Sequence, residues 1–195
     1  MIDVYHILID LMNEAEACKR FRMRDYSGVD FGESDLRNVG ICDCDLRGAN
    51  LSNCIIDRRT CFSNAIFDEK TKMPDYPMAC PEKGEFIGWK ACMIPDRTRA
   101  RIGRLAIVKL LVPADARRSS ATGKKCRCDK AKILSMERLD DGTEVKEAVS
   151  SYDINFVYET GKTVSVENFD ECRWHECAPG IHFFMNRSDA ARYFL

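Results

Sequence analysis

No stretch of this 195-residue chain approaches eighteen consecutive apolar residues, so nothing in it is suited to crossing a membrane as a helix. No basic start leading to an apolar run and a small-residue cleavage site opens the chain; Asp3, Asp10 and Glu14 stand where a signal peptide carries no charge. Net charge is also missing. At −1, with 30 basic and 31 acidic side chains, the chain exerts no global pull towards nucleic acid or an anionic surface. The Walker pattern of phosphate-binding loops is absent, and Gly123 stands alone. Histidine is scarce at three, whereas cysteine, at eleven, is both abundant and odd in number.

What is present is a period. An apolar residue recurs every five positions at Phe21, Tyr26, Phe31, Leu36, Ile41, Leu46, Leu51 and Ile56, a spacing that belongs to neither a helix nor a plain strand. Small side chains stand two residues before several of these, at Ser34, Cys44, Ala49 and Cys54. After Ile56 the register slips by one, so that Phe62 and Phe67 become the central positions with Thr60 and Ala65 behind them, and Arg58 or Arg59 is the insertion. A fixed short period means units that bury their apolar residue only by stacking on the next.

With Ala49-Asn50-Leu51 as its clearest unit, the chain resembles the pentapeptide-repeat family over residues 20–72. The resemblance implies a short right-handed quadrilateral β-helix, with the central residue and the small one before it pointing inward. Residues 1–20 predict an N-terminal capping helix, since Val4, Ile7, Leu8, Leu11, Met12 and Ala15 fall at helical spacing behind Asp3. Pro74, Pro77 and Pro81 mark residues 73–84 as a connector. Cys44 and Cys54 at interior slots, together with the missing signal peptide, point to reduced thiols and a cytoplasmic protein.

From 85 to 195 the signals are those of a small α+β domain with a largely antiparallel sheet. Short apolar runs lie at 86–92, 105–112, 131–137, 144–149, 156–158, 163–166 and 181–184, split by turn pairs such as Asp141-Gly142 and Gly161-Lys162. Ser188 is positioned to cap a closing helix that buries Ala190, Ala191 and Phe194. The stretches Phe86-Ile87-Gly88-Trp89-Lys90, Ala116-Arg117-Arg118-Ser119-Ser120-Ala121 and Ala178-Pro179-Gly180-Ile181-His182-Phe183-Phe184 are similar to an uncharacterised domain that accompanies repeats in bacterial, phage and giant-virus proteins. That resemblance covers about 86–184 and imports no activity.

Four constellations bear on chemistry. Arg117, Arg118, Lys124, Lys125 and Arg127, with Ser119 among them and His182 further on, form the candidate anion- or partner-binding site; guanidinium forks and turn amides both suit anions. Cys172, His175, Cys177 and His182, with Cys126 and Cys128, are zinc ligand types, but at no zinc-finger spacing, and no metal or cofactor is expected. Gly180-Ile181-His182-Phe183 before Ser188, Ala191 and Tyr193 is similar to one motif of ADP-ribosyltransferases, with His182 replacing the stacking Tyr; no later strand carries the catalytic Glu that family needs. Residues 25–57 hold seven acids against Arg37 and Arg47, yet over 19–70 acids and bases balance at nine each, which speaks against duplex mimicry.

The sequence therefore predicts a non-catalytic binding or adaptor protein, associated with phage or mobile elements, that recognises a protein or an anionic ligand through its C-terminal domain; nucleic acid and membrane are not expected partners. The alternative is an enzyme or sequestering protein acting on a phosphate-bearing, nucleotide-like small molecule.

Overall fold

The computed structural model describes residues 19–22, 24–95 and 104–193. The capping helix expected before residue 19 lies outside the described residues. The chain divides into two compact units: the first comprises residues 1–78, 120–123 and 172–177, the second residues 79–119, 124–171 and 178–195.

In the first unit, strands β1 (Lys19–Arg22) and β2 (Val39–Cys42) pair in parallel. Beyond them, single parallel bridges join Asp25 to Asp45, Asp30 to Asn50 and Asp35 to Ile55, each twenty residues apart. The separation grows to 21 at Gly40–Cys61, as the slip after Ile56 requires, and to 22 at Asn50–Lys72. The five-residue period decides what is buried: Leu36, Leu46 and Leu51 are inaccessible, as are Cys44 and Ala49 two positions before their central residues.

Between buried positions the chain turns through aspartate. The carboxylates of Asp25, Asp30, Asp35 and Asp45 each accept the backbone N–H two residues on, at 2.8–3.1 Å, a local bond that gives the turn its own acceptor. At the two insertions the device is larger. Asp57 accepts from the N–H groups of Asn38, Arg59 and Thr60, while the Thr60 hydroxyl donates to the Leu36 carbonyl at 2.8 Å. Asp68 and Thr71 repeat the pattern with Gly48, Lys70 and the Leu46 carbonyl. The acids counted above are thus mostly turn acceptors.

The expected quadrilateral β-helix is corrected. Among the described residues, regular strand pairing in this unit is confined to the four-residue parallel pair, the further strand pairings are single bridges, and no β-helix solenoid is shown. The reason is local: with one residue in five bridging and an aspartate-held turn following it, no run is long enough to be a strand.

The first unit also contains two pieces of late sequence. Trp174 stands edge-on to Phe62 with ring centroids 5.7 Å apart, and His175 lies 5.3 Å from the Phe67 ring. The Thr122 hydroxyl donates to the Thr60 carbonyl. The Arg173 guanidinium donates to the carbonyls of Ser120 at 2.9 Å, Tyr76 at 2.8 Å and Ala121 at 3.2 Å, and stacks on Trp174.

The second unit is built on one open antiparallel sheet, nine-stranded among the described residues. Its strands are β3 (Phe86–Met93), β4 (Leu105–Val112), β5 (Arg118–Ser120), β6 (Lys125–Cys128), β7 (Lys130–Arg138), β8 (Glu147–Val149), β9 (Val157–Glu159), β10 (Thr163–Ser165) and β11 (Ile181–Phe184). The order runs β10-β7-β4-β3-β11-β6-β5, and β8 attaches to the far end of β3 with β9 beyond it. Among the described residues of this unit one six-residue helix, α1 (Arg187–Arg192), places Ala190 and Ala191 against Trp89, Ala91 and Ile107. The expected α+β domain is corrected to a mainly β unit: the helix is too short to form a layer. It starts behind Asn186, which leaves Ser188 inside the first turn rather than at the cap.

Candidate functional site

Alternation along β3 sends Phe86, Gly88, Lys90 and Cys92 to one face. Their partners on β4 are Val112, Leu110, Val108 and Ala106, all fully buried, so Lys90 projects into an apolar layer. Gly88 is required there, because a Cβ would lie 2.6 Å from the ring of Phe183, which packs against Phe86 at 5.8 Å. β11 pairs with β3 only at Phe184–Trp89, while β8 pairs with it at Met93–Val149. In the interval between these two partners Lys90 reaches sideways.

Its Nζ donates to the backbone carbonyl of His182 at 3.2 Å and stands 5.8 Å from the centre of the Tyr158 ring. Lys90 is only 8% exposed, and among the described residues it makes no ion pair with a carboxylate. A buried ammonium is rare unless paired. Burial lowers its pKa first and foremost, and the Lys125 charge adds to the effect; Cys92, Tyr152 and Cys128 act in the opposite sense. Burial meanwhile pushes the Cys92 thiol up to about 12 and the Cys128 thiol and Tyr158 phenol well above their ordinary values, so these three are neutral at neutral pH.

Lys90 lines a small depression together with Ala91, Lys125, Ser151, Tyr152, His182, Phe184 and Tyr193. The imidazole Nε2 of His182 pairs with the Ala178 carbonyl at 3.1 Å, and burial pulls its pKa down to about 4, with the charges of Lys90 and Lys125 acting in the same direction. The ring is therefore neutral at neutral pH. The Tyr152 and Tyr193 hydroxyls lie 3.3 Å apart at the margin. Two lysines line this concave surface, and among the described residues of its lining there is no acid, an arrangement suited to a small anion.

The basic residues expected to form one anion site are dispersed. Arg117 pairs with Asp129 at 2.9 Å and Glu171 at 3.1 Å. Arg118 donates to the carbonyls of Ala116, Gly84, Pro113 and Ala114 at 2.6–3.0 Å and lies over the Phe86 ring. Lys124 pairs with Asp189 at 2.8 Å. Arg127 is buried over Phe169 and donates to the carbonyls of Asp170 and Pro179, both at 3.0 Å. Ser119 is buried, and its hydroxyl has no hydrogen-bond partner among the described residues. Of the seven, Lys125 and His182 meet at the depression.

The zinc-type residues separate as well. Cys172, His175 and Cys177 belong to the first unit, while Cys126, Cys128 and His182 lie on β6 and β11 of the second. Among the described residues no three such side chains are grouped to hold a metal ion.

The sequence does not single out Lys90, Ser151 or Tyr152 as site residues, and Tyr193 enters only with the motif similar to that of ADP-ribosyltransferases. For Lys90 a signal was present: a lysine on the inward face of the run 86–92, in phase with Phe86 and Cys92, stands where an apolar residue belongs.

The model of a family of unknown function (DUF5758) matches residues 76–190, more than half of the chain, where the resemblance to an uncharacterised domain had been read. No pentapeptide-repeat family is detected. No curated protein and no solved structure matches the chain. No helix among the described residues is long and apolar enough to cross a membrane.

Proposed function

The chain belongs to that family of unknown function across residues 76–190, and we propose that it is a binding module for a small anionic ligand seated against Lys90, Lys125 and His182. The observation that carries this reading is Lys90, a lysine in an apolar layer whose one hydrogen bond goes to a neutral carbonyl and which lacks a carboxylate partner among the described residues. An anion entering the depression supplies the missing partner and strengthens in low dielectric.

A second reading places an acidic side chain or terminal carboxylate of a partner protein in the same depression. It is favoured by Tyr152, 75% exposed, and by Ile154 two residues on, 69% exposed, since aromatic and apolar surface beside a charged anchor is what protein interfaces use. In this adaptor form the pentapeptide-patterned region 20–72 serves as the platform that carries the recognition unit.

The test is thermal denaturation with inorganic phosphate, sulfate and lactate as probes. A ligand at about 100 times its Kd stabilises by about 2.7 kcal/mol, which for a chain of this size is a shift of about 5–10 °C. At least one probe is expected to raise the Tm of the wild type and not of Lys90→Met. No shift with any probe, or equal shifts in both proteins, overturns the reading.

A further inference from the structure

We propose that Cys42 and Cys61 are a reversible oxidation site on the first unit, a dithiol that a low-molecular-weight disulfide of the oxidised-glutathione type converts to an intramolecular disulfide. The inference stands apart from the anion site and uses none of its residues.

The five-residue period sets the geometry. Ile41 is buried, so Cys42 beside it on β2 faces outward, and on the next level Cys61 precedes the buried Phe62 and faces outward too. Cys61 bridges to Gly40, which has no side chain to stand in the way, and its sulfur meets that of Cys42 at 3.7 Å. Both residues are partly exposed. Cys44 and Cys54 in the same stack are buried and turned elsewhere: the Cys44 thiol donates to the Cys42 carbonyl at 3.3 Å, the Cys54 thiol to the Gly32 carbonyl at 3.6 Å. In the second unit Cys80 and Cys126 share a hydrogen bond, but both are buried away from a reagent.

Thiol–disulfide exchange supplies the step. The Cys61 thiolate attacks one sulfur of the small disulfide; a new S–S bond forms, the old one breaks, and the displaced half leaves as a thiolate that takes up a proton. Cys42 gives its proton to solvent, attacks the Cys61 sulfur and displaces the second half in the same way. Two protein thiols are oxidised, and one small disulfide is reduced to two thiols. The order follows from the surroundings. The Ser63 hydroxyl, 3.0 Å from the Cys61 sulfur, is placed to donate to a thiolate there. Burial, reinforced by the Cys61 charge, holds the Cys42 thiol up at about 12, and the mixed disulfide on Cys61 removes that charge before Cys42 reacts. The two cysteines are diagonal rather than opposite neighbours, so the bond draws successive levels together; Cys61 can yield because it sits in a single bridge followed by a turn. A disulfide formed under such a load is easily reduced, which makes the site reversible.

The experiment equilibrates the reduced full chain with mixtures of reduced and oxidised glutathione, alkylates the remaining thiols and maps the links by fragment-ion mass spectrometry, since Cys42 and Cys44 share a tryptic peptide. A Cys42–Cys61 link is expected, lost again in excess reduced glutathione, and formed roughly tenfold more readily in the native protein than in urea, where the thiols are no longer held together. Cys42→Ser should stop at one glutathione on Cys61. Cys61→Ser should give neither link nor adduct at Cys42. No link at any ratio, links between other cysteines in preference to this one, or equal formation in urea overturns the site; glutathione on Cys42 in the Cys61→Ser variant overturns the order of attack.

Discussion

Trp174 packs edge-on against Phe62, two residues 112 positions apart in sequence whose ring centroids are 5.7 Å apart at an interplanar angle of 77°. The last apolar residues of a stack have no next turn to bury them, so something else must cover them. Here the cover comes from residues 120–123 and 172–177, both inside the matched family segment.

Replacing Trp174 by Ala should therefore destabilise the first unit by about 3–5 kcal/mol, the range for a large buried aromatic. Cys177→Ser, at an exposed position in the same segment, should change stability little. Urea denaturation followed by far-ultraviolet circular dichroism measures both. Equal midpoints for the two variants contradict the covering role.

Arg118 holds four backbone carbonyls and so fixes a turn rather than waiting for a ligand. Arg118→Gln should lower stability by about 2 kcal/mol, since bonds from a charged donor are stronger than neutral ones and the carbonyls it leaves are only partly solvated. The ligand-induced shift should be kept in this variant. A variant with unchanged urea midpoint that no longer responds to any anion would return Arg118 to the binding site.

The buried histidine predicts a pH dependence with a definite sign. His182 titrates at about 4 in the folded protein and near 6.5 when unfolded, so between these values the unfolded chain binds the extra proton. Stability from this group is complete above about pH 6.5 and falls as the pH drops to about 4, by at most about 3 kcal/mol. Lys90, also lowered, gives a slope of the same sign at higher pH. The turn aspartates act lower: hydrogen bonds from Arg37 hold Asp35 at about 2, and its contribution is lost below about pH 4. His182→Asn should flatten the stability profile between pH 6.5 and 4 and leave the steeper fall below it. Identical profiles contradict the assignment.

Much of the chain was readable in advance because it is periodic. The five-residue spacing identified most of the residues buried between Leu36 and Phe62, with Ile56 only partly buried, and alternating runs located β3, β4, β7 and β11 within a residue or two. β5 and β6 escaped because Arg118–Ser120 and Lys125–Cys128 are polar and short, and read instead as a charged loop. The anion site was misplaced for a related reason. Five positive charges close in sequence look like one patch, but a strand alternates its side chains and a turn scatters them, so Arg117, Lys124 and Arg127 each found a separate acceptor. The solenoid expectation overreached because a burial period does not show whether the backbone between buried residues is strand or turn, and here aspartates decide for turn.

The central claim is that Lys90 lacks a partner which an anion provides, and the side-chain Cε resonance of Lys90, followed by NMR against pH, addresses it directly. In the free protein the account predicts a titration midpoint below the ordinary lysine value of 10.5, rising when lactate is bound because the anion stabilises the ammonium. A resonance that titrates at the ordinary value, unmoved by lactate, would contradict the account.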